Sequence, residues 1–167
     1  RELPECPPVA LDPSRADSDG DGILDGAEDS NQNGQVDPGE SDPTRNDSDC
    51  DGLPDDDERR LGSDPLRSDS DQDGLTDAAD NCPAISNIGQ ADVDQDGEGD
   101  LCDADIDGDA VPNDSDNCPN HANPDQNNLD ADLGDGLGDA CDPDLDGDQI
   151  LNDNDVCPFA RTTSHRD

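Results

Sequence analysis

One twelve-residue spacing of acidic side chains recurs along this chain: D-x-D-x-D-G-x-x-D-x-x-E. It appears as DSDGDGILDGAE from Asp17 and, with asparagines, as DSNQNGQVDPGE from Asp29. It returns as DSDCDGLPDDDE from Asp47, DSDQDGLTDAAD from Asp69, DVDQDGEGDLCD from Asp92, DIDGDAVPNDSD from Asp105 and DLDGDQILNDND from Asp144. A stretched copy, DADLGDGLGDACD, runs from Asp130 to Asp142. Repetition of this kind constrains the architecture more than local propensity does, because each copy poses the same folding problem.

The spacing is that of a calcium loop. Calcium is a hard cation that takes 6–8 oxygens at about 2.3–2.6 Å. Oxygens at positions 1, 3 and 5 converge only if the chain curls tightly, and glycine at position 6 permits the curl because it tolerates φ > 0. Position 7 offers a backbone carbonyl, position 9 a side chain, and position 12 a closing carboxylate. A strand would also alternate, but Asp and Gly are poor strand residues, and a merely solvated acidic face needs no glycine at a fixed offset.

The candidate ligands follow copy by copy. The first copy offers Asp17, Asp19, Asp21, Asp25 and Glu28, with the carbonyl of Ile23; the second offers Asp29, Asn31, Asn33, Asp37 and Glu40. The third has Asp47, Asp49, Asp51, Asp55 and Glu58, and the fourth Asp69, Asp71, Asp73, Asp77 and Asp80. The fifth has Asp92, Asp94, Asp96, Asp100 and Asp103, and the sixth Asp105, Asp107, Asp109, Asn113 and Asp116. The stretched seventh has Asp130, Asp132, Asp135, Asp139 and Asp142, and the eighth Asp144, Asp146, Asp148, Asn152 and Asp155. Ala110 and Gln149 stand where the sixth and eighth copies should carry glycine, so their turns are expected to be made differently. About eight or more calcium ions are implied.

Composition makes the metal necessary. Only 26% of the 167 residues are hydrophobic, and Phe159 is the single aromatic. Ordering a residue costs about 1–2 kcal/mol, which so little apolar surface cannot offset at roughly 25 cal/mol per Å² buried. The 48 acidic residues against 8 basic ones give a formal charge of −40. That sign excludes nucleic acid as a partner and electrostatic attraction to anionic lipid. Low hydrophobicity with high charge is also the signature of a disordered acidic chain, but disorder requires neither the strict acidic pattern nor seven cysteines. No apolar stretch is long enough to span a membrane. The chain begins at Arg1 without a secretory leader, which reads as a processed or excised segment.

Calcium loops of this formula occur in EF-hands, which need a helix on each side. The connectors between successive copies are 0, 6, 10, 11, 1, 13 and 2 residues long, and several cannot hold even one helix. Apolar residues at helical spacing are also missing. Only residues 54–61, PDDDERRL, read as a short helix.

From Asp69 onward the cysteines add a second pattern. It comprises Asp80-Asn81-Cys82-Pro83, then Asn87 and Gln90, then the run Asp96–Asp103; a second unit follows with Asp116-Asn117-Cys118-Pro119, Asn123, Gln126 and the GDACD around Cys141. A third start lies at Asp155-Val156-Cys157-Pro158. Residues 69–158 resemble thrombospondin type 3 repeats on these motifs. Residues 17–68, with G-S-D-P at Gly62–Pro65, resemble the related cysteine-poor repeats of bacterial surface proteins. The resemblance implies little regular secondary structure and no conventional hydrophobic core. It implies an irregular, elongated, calcium-stabilised repeat array pinned by disulfides, with a lead over 1–16 and a tail over 159–167. It further implies a calcium-dependent spacer or stalk in a secreted or cell-surface protein, a bacterial envelope protein included. The second unit departs from the first, with 23 residues from Cys118 to Cys141 against 20 from Cys82 to Cys102. The site around Asp130 is therefore expected to be remodelled.

The resemblance also implies the pairs Cys82–Cys102 and Cys118–Cys141. Two readings of the remaining cysteines stay open. Cys6 pairs with Cys50 and Cys157 waits for a partner beyond the segment, or Cys157 meets Cys6 of another copy in a head-to-tail fibre. Seven cysteines with no C-x-x-C point to an oxidising, extracellular compartment. His121 and His165 are isolated, and the acceptor triplets at Asn46 and Asn113 overlap calcium loops. No catalytic motif occurs, so an enzyme is not expected. Three roles remain: a calcium-rigidified spacer flanked by surface domains, a fibre subunit meeting identical subunits, and a disordered acidic calcium buffer or mineral binder.

Overall fold

The structure, a computed structural model, describes residues 6–131 and 135–161. The chain divides into two compact units, Arg1–Ala91 and Asp92–Asp167. Among the described residues there is no strand, and the regular elements are α1 (Asp25–Glu28), α2 (Asp55–Leu61) and a 3-10 turn at Asp77–Ala79. Each begins at position 9 of its copy. The residue before it, Leu24, Pro54 or Thr76, is extended, so the chain leaves the loop straight and then turns once. That turn carries position 12 back toward the loop.

Only α2 continues further, as the sequence predicts for residues 54–61. Its first turn holds Asp55, Asp56, Asp57 and Glu58, and its last turn holds Arg59 and Arg60. This is the order that the helix dipole favours. Gly62 ends it at φ +86°, donating its N–H to the Glu58 carbonyl, as a left-handed cap should.

The interior is polar. Among the described residues Ile23, Cys82 and Cys118 are the buried hydrophobic ones, whereas Glu28, Glu58, Asp55 and Asp77 are each at most 3% exposed. Ile88, Val156 and Phe159 lie open to solvent. An interior of carboxylates cannot be held by apolar burial; charge of the opposite sign has to supply the cohesion.

The loops have one shape. The backbone is left-handed at position 6, from Gly22 (φ +102°) to Gly97 (φ +102°), and also at position 4, where Cys50, Gln72 and Gln95 sit at φ +67°, +67° and +64°. Ala110 and Gln149 take the same turn, at φ +74° and +75°. The expectation of a different turn in the sixth and eighth copies is thus corrected. The reason is a hydrogen bond: their N–H groups donate to Asp105 Oδ2 (2.9 Å) and Asp144 Oδ2 (2.8 Å), as those of Gly52 and Gly74 do to Asp47 and Asp69. The bond holds a conformation that costs an L-residue about 1–2 kcal/mol. In these two copies glycine has moved to position 4, where it is needed for space. A Cβ on Gly108 would lie 3.2 Å from the Cβ of Asp94, and one on Gly147 3.3 Å from that of Asp130.

Cys6 is bonded to Cys50, and Cys118 to Cys141, over separations of 44 and 23 residues. Closing such loops contributes roughly 3–4 kcal/mol each in the chain-entropy picture. Cys82 and Cys102 are half-cystines too, and Cys157 is free and exposed. Of the two readings left open by the sequence, the fold has the intramolecular Cys6–Cys50 pair. Cys6 is therefore not available to a second copy.

Two substitutions test the turn. Ala110→Gly is expected to raise calcium-bound stability by about 1 kcal/mol by relieving the left-handed strain. Gly108→Ala is expected to lower it by more, by forcing a methyl onto Asp94. Urea midpoints at saturating calcium measure both, and equal midpoints would contradict the account.

Candidate metal centres

Backbone donors orient the loop carboxylates, and at position 3 they engage one oxygen and leave the other open. At position 1, Asp17 accepts from Gly20 N–H (2.6 Å), Asp47 from Cys50 N–H (2.6 Å) and Asp92 from Gln95 N–H (2.7 Å). At position 3, Asp19, Asp49, Asp71, Asp94, Asp107 and Asp146 each accept from the N–H two residues on, at 3.0–3.3 Å. At position 5, Asp21, Asp51, Asp73, Asp96, Asp109 and Asp148 do the same at 2.7–3.0 Å. These bonds fix the orientation of each carboxylate in the folded loop.

What remains open converges. Carboxylate oxygens of Asp17, Asp19 and Asp21 lie within 4.8 Å of one another, as do those of Asp47, Asp49 and Asp51, of Asp69, Asp71 and Asp73, and of Asp92, Asp94 and Asp96. Buried oxygens without a hydrogen-bond partner occur on Asp19, Asp21, Glu28, Asp49, Glu58, Asp69, Asp71, Asp105, Asp107, Asp116, Asp130, Asp146 and Asp155. Both Glu58 oxygens are among them, on a side chain with no exposure. A buried acceptor that finds no donor costs about 1–3 kcal/mol, more when charged. Repeated at the same positions, such oxygens fit a hard, oxygen-seeking divalent cation.

Position 9 does something else. Asp25, Asp55 and Asp77 each accept from the N–H and the hydroxyl of the serine at position 2, namely Ser18, Ser48 and Ser70, at 2.6–2.8 Å. Asp100 takes the Val93 N–H, and Asn113 and Asn152 take those of Ile106 and Leu145. The residue staples the two ends of its loop. This also explains why asparagine serves there in the sixth and eighth copies: its Nδ2 donates to the carbonyls of Asp103 and Asp142.

Position 12 closes the ring. Glu28 and Glu58 do so from the helical turns, and Asp80, Asp103, Asp116, Asp142 and Asp155 from extended segments. Each of these five accepts, on one oxygen, the N–H two residues on. Asp80 and Asp116 are also held by the amides of Gln90 and Gln126, at 2.7 Å each. Those glutamines are the last residues of the two N-x-x-Q motifs.

Two copies differ. In the second, Asn31 and Asn33 donate to Asp37, while Ser30 N–H, Ser30 Oγ and Asp37 N–H donate to Glu40. Asp29 is occupied by Asn33 and Gly34 N–H. Side-chain amides occupy this ring where the other copies leave open oxygens.

The seventh copy starts at Asn128, two residues before Asp130. Leu129 N–H donates to Asp139, and Asp139 N–H donates to the Asn127 carbonyl, as Asp25 N–H does to that of Ala16. Asp130 then stands at position 3, where it faces Gly147 as Asp94 faces Gly108. Asp135, which accepts from Leu137 N–H, stands at position 5. The Asn128 Oδ1 is buried without a partner. Sequence reasoning missed Asn128, although it lies ten residues after Cys118, just as Asp92 follows Cys82. Asp132 lies outside the described residues.

Charge is concentrated accordingly. Burial, reinforced by Asp49, Asp51, Asp55 and Asp77, pushes the Glu58 carboxyl up to about 9. Burial with Asp19 and Asp21 pushes Glu28 up to about 8, and burial raises Asp49 to about 7 and Asp21 to about 6. Without a cation Glu28 and Glu58 keep a proton at neutral pH. Between the ordinary glutamate value of 4.5 and about 9, a folded metal-free chain keeps a proton on Glu58 that the unfolded chain has lost. Rising pH therefore favours unfolding in that window. In chelator the chain is expected to be more compact at pH 5 than at pH 8, and calcium is expected to reverse the order. Small-angle scattering reads this, and a radius of gyration no smaller at pH 5 would contradict it.

Three segments, residues 67–90, 91–126 and 129–163, match the family model of the thrombospondin type 3 repeat. Together they cover more than half of the chain. No curated protein matches it.

Proposed function

Because the chain belongs to the thrombospondin type 3 repeat family, a family of calcium-binding structural repeats of extracellular proteins and not of enzymes, we propose that it is a spacer whose stiffness is set by calcium. Its setting is a secreted or cell-surface protein, with a bacterial envelope as one such surface. The observation that carries this reading is the set of buried, partnerless carboxylate oxygens recurring at positions 3 and 12, with Asp69 and Asp105 at position 1 and Asp21 at position 5, where the described residues have almost no apolar core.

The mechanism is folding driven by binding. Eight divalent ions would bring +16 against the formal −40. Each ion replaces repulsion among three or four carboxylates with attraction, so binding energy becomes folding energy. The loop hydrogen bonds preorganise the oxygens, and the position 9 staple keeps the ends of each loop together while the ion exchanges. Extracellular loops of this kind bind at about 10⁻⁴–10⁻³ M, which keeps them filled outside a cell. The second copy, with its Asn amides already on Asp37, is the weakest site.

A fibre subunit is the second reading, favoured only by the exposed thiol of Cys157. With Cys6 held by Cys50 and the other four cysteines oxidised, one thiol per chain links two chains and no more. A disordered acidic buffer would need neither fixed donors nor stapled loops.

Calcium titration of the oxidised chain, followed by circular dichroism and scattering, tests the spacer reading. A cooperative compaction near millimolar calcium is expected. An unchanged size and spectrum between chelator and 5 mM calcium (~10⁻³ M range) would sink it.

A further inference from the structure

Apolar surface is scarce in this chain, and some of it is gathered, uncovered, in the first unit. A cavity of about 380 Å³ opens there against the second copy, with Leu11, Val36 and Pro43 among its walls. Leu11 and Val36 are 52% and 53% exposed, so the unit's own residues leave half of each uncovered. Three segments build the cavity. The lead is laid beside residues 42–44 by Val9 N–H, which donates to the Thr44 carbonyl at 2.7 Å. The second copy contributes Val36 and Gly34. Gly34 is left-handed at φ +74°, and a Cβ there would meet nothing within 4 Å.

The acids on this lining differ in what balances them. Asp42 has a cation, since Arg45 Nε lies 3.2 Å from its Oδ2, and the Thr44 hydroxyl donates to its Oδ1 at 2.7 Å. Asp25 is held by the N–H and hydroxyl of Ser18. Asp29 accepts Asn33 N–H at 3.0 Å and Gly34 N–H at 2.7 Å. The ion pairs among the described residues are Arg45–Asp42 and Arg60–Asp57, and neither includes Asp29. Arg15 and Arg59 are turned to the Ser18 carbonyl and the Ser41 hydroxyl instead. Asp29 thus sets a negative charge beside an apolar wall, and no described arginine answers it.

We propose that this cavity docks a partner protein through an arginine and a neighbouring aliphatic side chain on an exposed basic segment. Arginine suits the place because its methylene stem lies on apolar surface while its head stays at an acid. Its guanidinium is also less strongly hydrated than an ammonium, so it loses less on entering. The volume falls in the range of roughly 300–1,000 Å³ that holds a small-molecule-sized group, which leaves room for the aliphatic side chain on Leu11 and Val36. Charge selects the source. A second copy brings its own formal −40 and is repelled, as anionic lipid is, and a purely apolar ligand leaves Asp29 unanswered.

The probe is the peptide acetyl-Gly-Leu-Arg-Gly-amide, added to the full, oxidised, ¹⁵N-labelled chain in saturating calcium and physiological salt. Amide shifts confined to Leu11, Gly34, Val36, Thr44 and their neighbours are expected, with a Kd on the order of 1 mM or tighter. Replacing leucine by serine in the peptide is expected to weaken binding about tenfold, the loss of one partly buried aliphatic side chain. Replacing arginine by glutamate is expected to abolish it. Gly34→Asn places a side chain in the cavity at a backbone conformation that asparagine tolerates, and is expected to weaken the arginine peptide at least tenfold. Val36→Ser, at a half-exposed position, is the second variant and is expected to do the same should G34N disturb its loop. Shifts spread over the acidic loops of both units, and equal for the leucine and serine peptides, would mean general charge attraction and overturn the proposal. Full affinity in a folded G34N or V36S chain overturns it too. The same shifts appearing without peptide as the chain is concentrated would put a second copy in the cavity, and that also overturns it.

Discussion

The fold depends on one arrangement: a carboxylate whose first oxygen is tied to a backbone N–H and whose second is turned inward among other carboxylates. The tie is local, spanning two residues at positions 3 and 5, and it costs little to form. The inward oxygens are the expensive part, because like charges crowded out of water repel and lack donors. Everything else, from the left-handed turns to the serine staples, keeps those oxygens close until a cation joins them.

This arrangement explains why so small an apolar component suffices. Among the described residues Ile23 and two half-cystines are the hydrophobic residues that are fully buried, and the most enclosed side chains include acids. A domain built this way trades the usual core for metal. The disulfides Cys6–Cys50 and Cys118–Cys141 tie segments that so little apolar surface would leave unheld. The second copy is the instructive exception. Replacing two aspartates by Asn31 and Asn33 supplies N–H donors from inside the ring, and the same residues that weaken a calcium loop let it close without one.

The loops also differ in how they reach their neighbours. The second oxygen at position 5 is a docking point that accepts an N–H from the following segment at Asp51, Asp73 and Asp109. Loop filling and loop stacking therefore share one side chain.

The sequence alone determined the loops, namely their spacing and their membership of a calcium-binding repeat family, and the short helix after Pro54. It could do so because coordination by a tight loop is a local problem, solved within twelve residues. It misassigned what depends on hydrogen bonds that a pattern does not display. Position 9 reads as a ligand, and in the fold it also staples its loop by accepting the N–H of the residue at position 2. The turn at Ala110 and Gln149 reads as irregular, but Asp105 and Asp144 hold it in the common shape. The start of the seventh copy reads as Asp130, because insertion of three residues hides Asn128. Only the tertiary structure decided that the third copy packs on the first across the second, bringing Asp55 to Asp21 and Glu28. That contact joins residues more than two dozen positions apart through buried charge, and no spacing along the chain encodes it.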